Sequence, residues 1–319
     1  MTPEPGVTAP TELLTDLFDQ GLLVETGVAG LYGRSGTFEA IRLALEALIE
    51  RRAAGDLMRV LRFPPLLPRR HLETAGYLTS FPHLAGTVFA FAGDEAQARA
   101  QDERAARHEE WSEFQSMTDL VLTPAACYPV YPALAAAGPL PAGGAIIDAG
   151  GSYVFRREPS KEPTRLQMFH QREFVRAGEA AAVLAWRDTW QERAAALLAE
   201  LGLEFAITVA ADPFFGRGGR MLEATQRELA LKFEAQVRLA NGFEPVAVAS
   251  FNYHQDHFGT AFGIMLEGGG YAHTACVGHG EERIVVALLS AHGPDPDAWP
   301  EQVRNALWPA TGGAGESPS

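Results

Sequence analysis

The chain has 319 residues, 47% of them hydrophobic, with 26 Lys and Arg against 40 Asp and Glu and a net charge of −14. This length fits one large domain or two small ones with a substantial core, and no apolar run approaches the ~20 residues that cross a bilayer. The acidic balance argues against a broad nucleic-acid surface, which must neutralise phosphates, and against docking on the acidic face of a membrane.

Residues 1–10 and 309–319 are rich in Pro, Gly and Ser and are expected to be flexible ends around one unit, 11–308. The N-terminus lacks the basic-then-apolar pattern of a secretory signal. Two cysteines make no disulfide framework, and a cytoplasmic location is expected. Apolar side chains at 41, 43, 44, 47 and 48, followed by a glycine, predict a helix over 37–54. The stretch 62–91 carries four prolines, which exclude a regular helix through most of it, and ends in a strand candidate at 87–91. Residues 94–117, charge-dense and Ala-rich, read as a solvated helix.

From 119 onward short strands are expected: 119–123, 145–149, 152–158 and 165–175. The turn-rich "PSKEPT" closes the last two into a long antiparallel hairpin. A helix over 178–202 and a strand over 205–210 follow, then a Gly-, Phe- and Arg-rich loop and helix start at 213–229. Strand candidates at 231–239, 245–253 and 258–266 precede "YAHTACVGHGEERIV", in which a Gly-x-Gly loop leads into a helix over 283–293. Strands in consecutive antiparallel pairs predict an α+β fold, an antiparallel β-sheet flanked by helices, over a doubly wound parallel sheet.

Several residues carry candidate chemistry. A Gly-x-Gly turn before a helix can bring backbone N–H groups to an anion, and Arg283 on that first turn would add a guanidinium fork. A chance pair in a chain of 32 glycines gives the same pattern. On the hairpin, Arg156 and Glu158 share one face if the strand runs through them, with Phe169 on the partner strand. An arginine for a phosphate, a carboxylate for an adenine amino group and a ring for stacking suit a nucleotide; a surface salt-bridge strand is the plain alternative. Cys127 and Cys276 form no Cys-x-x-Cys pair and read either as buried, inert thiols or as zinc ligands converging from separate strands, with Glu173 as the third and a fourth position left for substrate. "HQDH", 254–257, lies on strand and turn rather than at helical ligand spacing, which argues against a metal role. A Gly-x-Ser-x-Gly elbow, a Walker loop and a complete dinucleotide fingerprint are absent.

Together these features resemble the class II aminoacyl-tRNA synthetase catalytic domain. "SYVFRRE…RLQMFHQREFV" is similar to that family's second signature, "VGHGEERIVVALL" to its third, and the Pro-rich 62–91 stands where the first, dimer-forming signature would lie. The closer resemblance is to the amino acid:[carrier protein] ligases, truncated relatives of the zinc-dependent seryl-tRNA synthetases of methanogens, over most of residues 10–295. It implies Zn2+ held by Cys127, Glu173 and Cys276 and binding the substrate amino group, so that Glu173 also borders the amino acid. It implies ATP, with Mg2+, bound by Arg156, Glu158, Arg165, Leu166 and Phe169, by Ala247, Val248, Ala249 and Ser250, and by Arg283, with Arg156 and Arg283 as the catalytic arginines. Acids at 281 and 282 depart from the apolar pair expected after the Gly-x-Gly.

The implied reaction is activation of a small amino acid, glycine or alanine, and transfer to the phosphopantetheine thiol of an acyl carrier protein by a homodimer. No tRNA is expected, since the chain lacks room for a tRNA-binding domain. Carrier proteins are acidic, so a local basic patch is expected; Arg217 and Arg220 are one candidate and "PRRH", 68–71, another. A non-catalytic amino acid or nucleotide sensor, or a tRNA-aminoacylating enzyme with a separate tRNA-binding module, are the competing readings.

Overall fold

In the computed structural model, which describes residues 11–56, 58–239 and 244–309, the chain enters helix α1 (Glu12–Asp19) through Thr11, whose hydroxyl accepts from the Leu14 N–H at 3.2 Å. The expected flexible ends lie outside the described residues, apart from Pro309. A hairpin of β1 (Leu23–Val28) and β2 (Leu31–Arg34) leads to α2 (Gly36–Ala53), capped by Ser35. Strands β3 (Arg59–Val60) and β4 (Leu66–Pro68) flank the first prolines, and the Pro-rich stretch continues as two short helices, α3 (Arg69–Thr74) and α4 (Tyr77–Ser80), before β5 (Thr87–Phe91). Helix α5 (Glu95–Ala106) starts at a capping box of Asp94 and Gln97 and buries no residue, as a solvated helix should. It is shorter than expected: His108 turns the chain with φ 57°, and β6 (Gln115–Leu122) takes up the rest.

Next come α6 (Val130–Ala136), β7 (Ala145–Asp148), β8 (Ser152–Phe155) and β9 (Met168–Gly178). Helix α7 (Ala180–Glu200), β10 (Phe205–Val209), α8 (Gly216–Glu228), β11 (Lys232–Val237) and β12 (Val246–Gln255) follow. The chain ends in α9 (His257–Phe262), β13 (His273–Gly280), α10 (Glu281–His292) and α11 (Glu301–Leu307).

The main sheet has the order β10-β11-β12-β13-β9-β7-β3, with β8 pairing the first part of β9. Its pairs are antiparallel except β3 with β7, which is the α+β arrangement expected from the sequence. Alternation gives the sheet two faces. Phe174, Val277 and Phe251 point into a core shared with α2, α7 and α10. Val175 and Cys276 point the other way, toward α6 and α9, where Tyr131, Leu134 and Phe258 pack with them. Among the described residues no helix is long and apolar enough to cross a membrane.

Three expectations are corrected. Residues 258–266 start as helix α9 and not as a strand: Phe258 and Phe262, one helical turn apart, both stack on Tyr131, and Gly263 ends the turn at φ 73°. The strand drawn over 152–158 stops at Phe155, so Arg156 and Glu158 stand on the hairpin loop. The Gly-x-Gly is no loop but the end of β13, paired with both β9 and β12.

The acids after it are anchors. Glu282, buried at the positive end of α10, accepts from the His170 N–H at 2.9 and 2.8 Å and from Arg34, and Glu281 accepts from Arg42 at 2.6 Å. These bonds fix the first turn of α10, and with it Arg283, against β2, α2 and β9. Burial, then the neighbouring Glu46, pushes the Glu281 carboxyl up to about 8 from 4.5. A raised folded value means that the stability tied to the protonated form is complete below pH 4.5 and is lost as pH rises through about 8. Glu281→Gln should therefore match the wild type in Tm near pH 5 and exceed it at pH 9, with a slope difference of at most about 1.4 kcal/mol per pH unit. Parallel Tm–pH curves for the two proteins would show the carboxyl ionised throughout.

Candidate active site

A cleft of about 470 Å³ opens on the α6–α9 side of the sheet, and Arg156, Phe169, Ala247–Ser250 and Arg283 line it together with Cys127, Glu173 and Cys276. Residues from five separate segments therefore meet as the sequence reading required. Glu158, Arg165 and Leu166 are not on its walls. Arg165 instead bridges the hairpin loop, donating to Glu158 at 2.9 Å and Glu162 at 3.0 Å. Leu166 packs with Ala126, Val154 and Phe169 and supports the ring from behind.

At one end, the guanidinium carbons of Arg156 and Arg283 each lie 5.7 Å from the centroid of the buried Phe169 ring. Arg283 is held by its donations to the Thr164 carbonyl at 2.8 Å and the Ala247 carbonyl at 3.0 Å. Burial first, then the charge of Arg156, brings it down to about 10. Two cations beside one aromatic face form a site that favours an anion carrying a flat ring.

At the other end, the ligand atoms of Cys127, Glu173 and Cys276 all lie within 4.8 Å of one another, and all three residues are buried. Cys127 sits in the turn before α6, where Glu173 accepts its backbone N–H. Glu173 on β9 stands opposite Gly278 and Cys276 on β13 opposite Val175, so the two side chains share one face. Burial pushes Cys127 well above the usual thiol range and raises Glu173; Cys276 is raised as well, the pull of its bond with Cys127 being outweighed by burial and the Glu173 charge. The Tyr131 hydroxyl is completely buried beside them, next to Cys127. Two soft thiols and a carboxyl, crowded where none of them ionises readily alone, are a donor set of three that fits zinc.

Between the ends, β12 presents Ser250, Asn252 and His254 to the cleft. Asn252 donates to Ser250 Oγ at 3.3 Å and to Cys276 Sγ at 3.4 Å, and His254 Nε2 lies 3.6 Å from the same sulfur. Burial and then His257 hold His254 down at about 3, so it is neutral. Sequence reading stopped at Ser250 and set the histidine aside, although the alternation in "SFNYH" was a visible signal. It also missed Lys232 on β11, which pairs with Asp212 at 2.6 Å and Glu234 at 2.9 Å; Asp212 in turn accepts from Gln226 of α8 at 2.9 Å, tying that helix to the cleft floor. Arg217 and Arg220 are exposed on α8, while Leu222 of the same helix lines the cleft mouth.

The sheet and the helices around it form the catalytic fold of class II aminoacyl-tRNA synthetases. The structure superimposes on M. kandleri SerRS, solved in complex with A. aeolicus tRNASec, with a TM-score of 0.78 at 24% identity, covering 100% of this chain and 64% of that one. It superimposes on the Pyrococcus horikoshii seryl-tRNA synthetase complexed with ATP with a TM-score of 0.66 at 16% identity, covering 94% and 64%. Within that class, the chain belongs to the amino acid–[acyl-carrier-protein] ligase family. It is 45% identical over 305 residues to amino acid–[acyl-carrier-protein] ligase 2 of Bradyrhizobium diazoefficiens, covering 96% of this chain and 90% of that protein, and 44% identical to ligase 1 of the same organism, covering 95% and 91%. The type-2 serine–tRNA ligase of Methanopyrus kandleri is 32% identical over 209 residues, covering 62% of this chain and 40% of its own length. No protein-family model matches the chain.

Gly278 shows how closely the cleft floor is fitted. A Cβ there would stand 3.0 Å from both Gln171 Nε2 and Glu173 Oε1. Gly278→Ala should displace the Glu173 carboxylate and lower stability by about 1–3 kcal/mol, read as a shift in the urea midpoint at unchanged slope. An unshifted midpoint would mean that the two side chains have slack.

Proposed function

We propose that this chain activates a small amino acid, glycine or alanine, with ATP and transfers it to the phosphopantetheine thiol of an acyl carrier protein, working as a homodimer. The observation that carries this reading is the single cleft that joins a two-arginine, one-ring end to a Cys–Glu–Cys end. A carboxylate oxygen of the amino acid attacks the α-phosphorus, the bond to pyrophosphate breaks, and an aminoacyl-adenylate forms. The carrier's thiolate then attacks the carbonyl carbon, and AMP leaves with the bonding electrons.

The chain's own residues act mainly by placement and charge. Phe169 stacks on the adenine, Ala247, Val248, Ala249 and Ser250 border the nucleotide, and Glu158 accepts from the adenine amino group once Arg165 releases it. Arg165 then joins the phosphates at the loop, with the backbone at Leu166 beside them. Arg156 faces the α-phosphate, where negative charge builds as the fifth bond forms, and Arg283 neutralises the far phosphates, where a bound Mg2+ would add positive charge. Zinc held by Cys127, Glu173 and Cys276 would supply a Lewis-acid position for the substrate's neutral amine. The packing of Tyr131 and Phe258, 4.0 Å between ring centroids, and of His254 and Phe258, 4.8 Å apart, crowds this end and suits a small side chain.

The exposed Arg217 and Arg220 on α8, beside the cleft mouth, offer a basic face to an acidic carrier. The test uses a phosphopantetheine-bearing carrier protein with ATP and glycine or alanine. Its intact mass should rise by one aminoacyl residue, the adduct should be released by hydroxylamine, and a carrier lacking the arm should stay unmodified. Replacing Arg217 and Arg220 by Glu should slow this loading about tenfold or more while leaving adenylate formation intact. Loading at the wild-type rate would place the docking face elsewhere, and no thioester on any carrier would overturn the transfer step.

A further inference from the structure

The pairing of β12 with β13 is regular up to Tyr253, opposite Ala275, and then slips so that Gln255 stands opposite Thr274. His254 is the extra residue of this bulge, and Gln255 closes it with φ 54°, in the left-handed region that a non-glycine residue seldom occupies. Its side chain lies on the cleft face with Ser250 and Asn252, where the imidazole reaches the sulfur of Cys276. Nε2 lies 3.6 Å from Sγ, while Nδ1 lies 3.1 Å from the hydroxyl of the fully buried Thr274. Asn252 Nδ2 reaches the same sulfur at 3.4 Å.

The proton inventory fixes the direction of these bonds. A neutral imidazole has one donor and one acceptor nitrogen, and a thiolate has no proton to give. If Cys276 binds metal as a thiolate, Nε2 must carry the ring proton and Nδ1 must accept from the Thr274 hydroxyl. His254 is outside the group of ligand atoms that lie mutually within 4.8 Å, so it acts on the sulfur rather than as a fourth ligand. The ring is confined edge-on by Phe258 and Tyr131, at 4.8 and 6.1 Å between centroids.

We propose that His254 is a positioning residue: Thr274 locks it in the Nε2–H tautomer, and with Asn252 it donates to Cys276 Sγ, holding that sulfur as a metal-binding thiolate. The proposal rests on the zinc reading above. Each N–H draws electron density from a sulfur that has no other compensating charge on its own strand, and partners of this kind tune both affinity and ligand donor strength. Alternation along β12 already puts residue 254 on the face of Ser250 and Asn252, and the bulge leaves it with no partner residue across the ladder, its imidazole in contact with both Cys276 and Thr274.

The test compares full-length His254→Phe, which keeps an aromatic ring without the donor, with His254→Gln, whose amide N–H can reach the Nε2 position, and with Thr274→Val, which removes the lock. Zinc affinity is read by competition with a chromophoric chelator, and the Co2+-substituted protein reports the sulfur-to-metal charge-transfer band. Affinity should fall about 10- to 100-fold in His254→Phe and by a smaller factor in Thr274→Val, and stay within about threefold of wild type in His254→Gln. The cobalt band should move to lower energy in the Phe variant and return in the Gln variant. Wild-type affinity and band in His254→Phe would reduce the histidine to packing, and an equal loss in the Gln variant would assign the effect to shape. A wild-type protein that shows no sulfur-to-cobalt band at all would overturn the zinc reading and this proposal with it.

Discussion

Two thiols and a carboxyl buried within 4.8 Å of one another set the terms for everything around them. Moved out of water, each resists ionisation, and each ionised neighbour makes the next harder to ionise. A divalent cation would resolve this conflict, because its attraction opposes both costs. The cluster also cannot exist before the fold does: Cys127 stands in a turn ahead of α6, Glu173 on β9 and Cys276 on β13, and only the antiparallel register of β9 with β13 brings the last two to one face. An apolar cluster that includes Val175, Tyr131 and Phe258 packs around Cys127 and Cys276. Stability of the sheet and competence of the site are thus one property.

The two-arginine end obeys the opposite sign. Arg156 and Arg283 flank one ring, Arg283 is restrained by two neutral carbonyls, and the carboxylates of Glu158 and Glu234 only partly offset its burial and the charge of Arg156. Two cations this close repel each other, so the position of Arg283 must be enforced from behind. The buried bonds of Glu281 to Arg42 and of Glu282 to the His170 backbone and Arg34 do this. Sequence reading treated those two acids as a poor fit to their turn, whereas their burial is what seats it.

How much was legible depended on whether a signal was local. The hairpin of β8 and β9, helices α2 and α7 and the antiparallel character of the sheet followed from periodicity and turn residues, and the grouping of Cys127, Glu173 and Cys276 followed from a resemblance in spacing. Helix α9 was misread because a short aromatic segment fits either period until Tyr131, far away in sequence, selects the helical one. The Gly-x-Gly looked like a phosphate loop because glycine often serves turns; here Gly278 leaves room for Gln171 and Glu173 across the sheet. His254 was discounted on ligand spacing although its alternation with Ser250 and Asn252 was visible; its contact with Cys276 depends on the pairing of two strands, which has no local signature.

Amino acid-dependent exchange of labelled pyrophosphate into ATP, run with all twenty amino acids on protein of known metal content, tests the central account most directly. The account predicts exchange with glycine or alanine at about one zinc per chain, and loss of both the exchange and the metal in Cys276→Ala. Exchange with no amino acid by protein that holds zinc and binds ATP would contradict it.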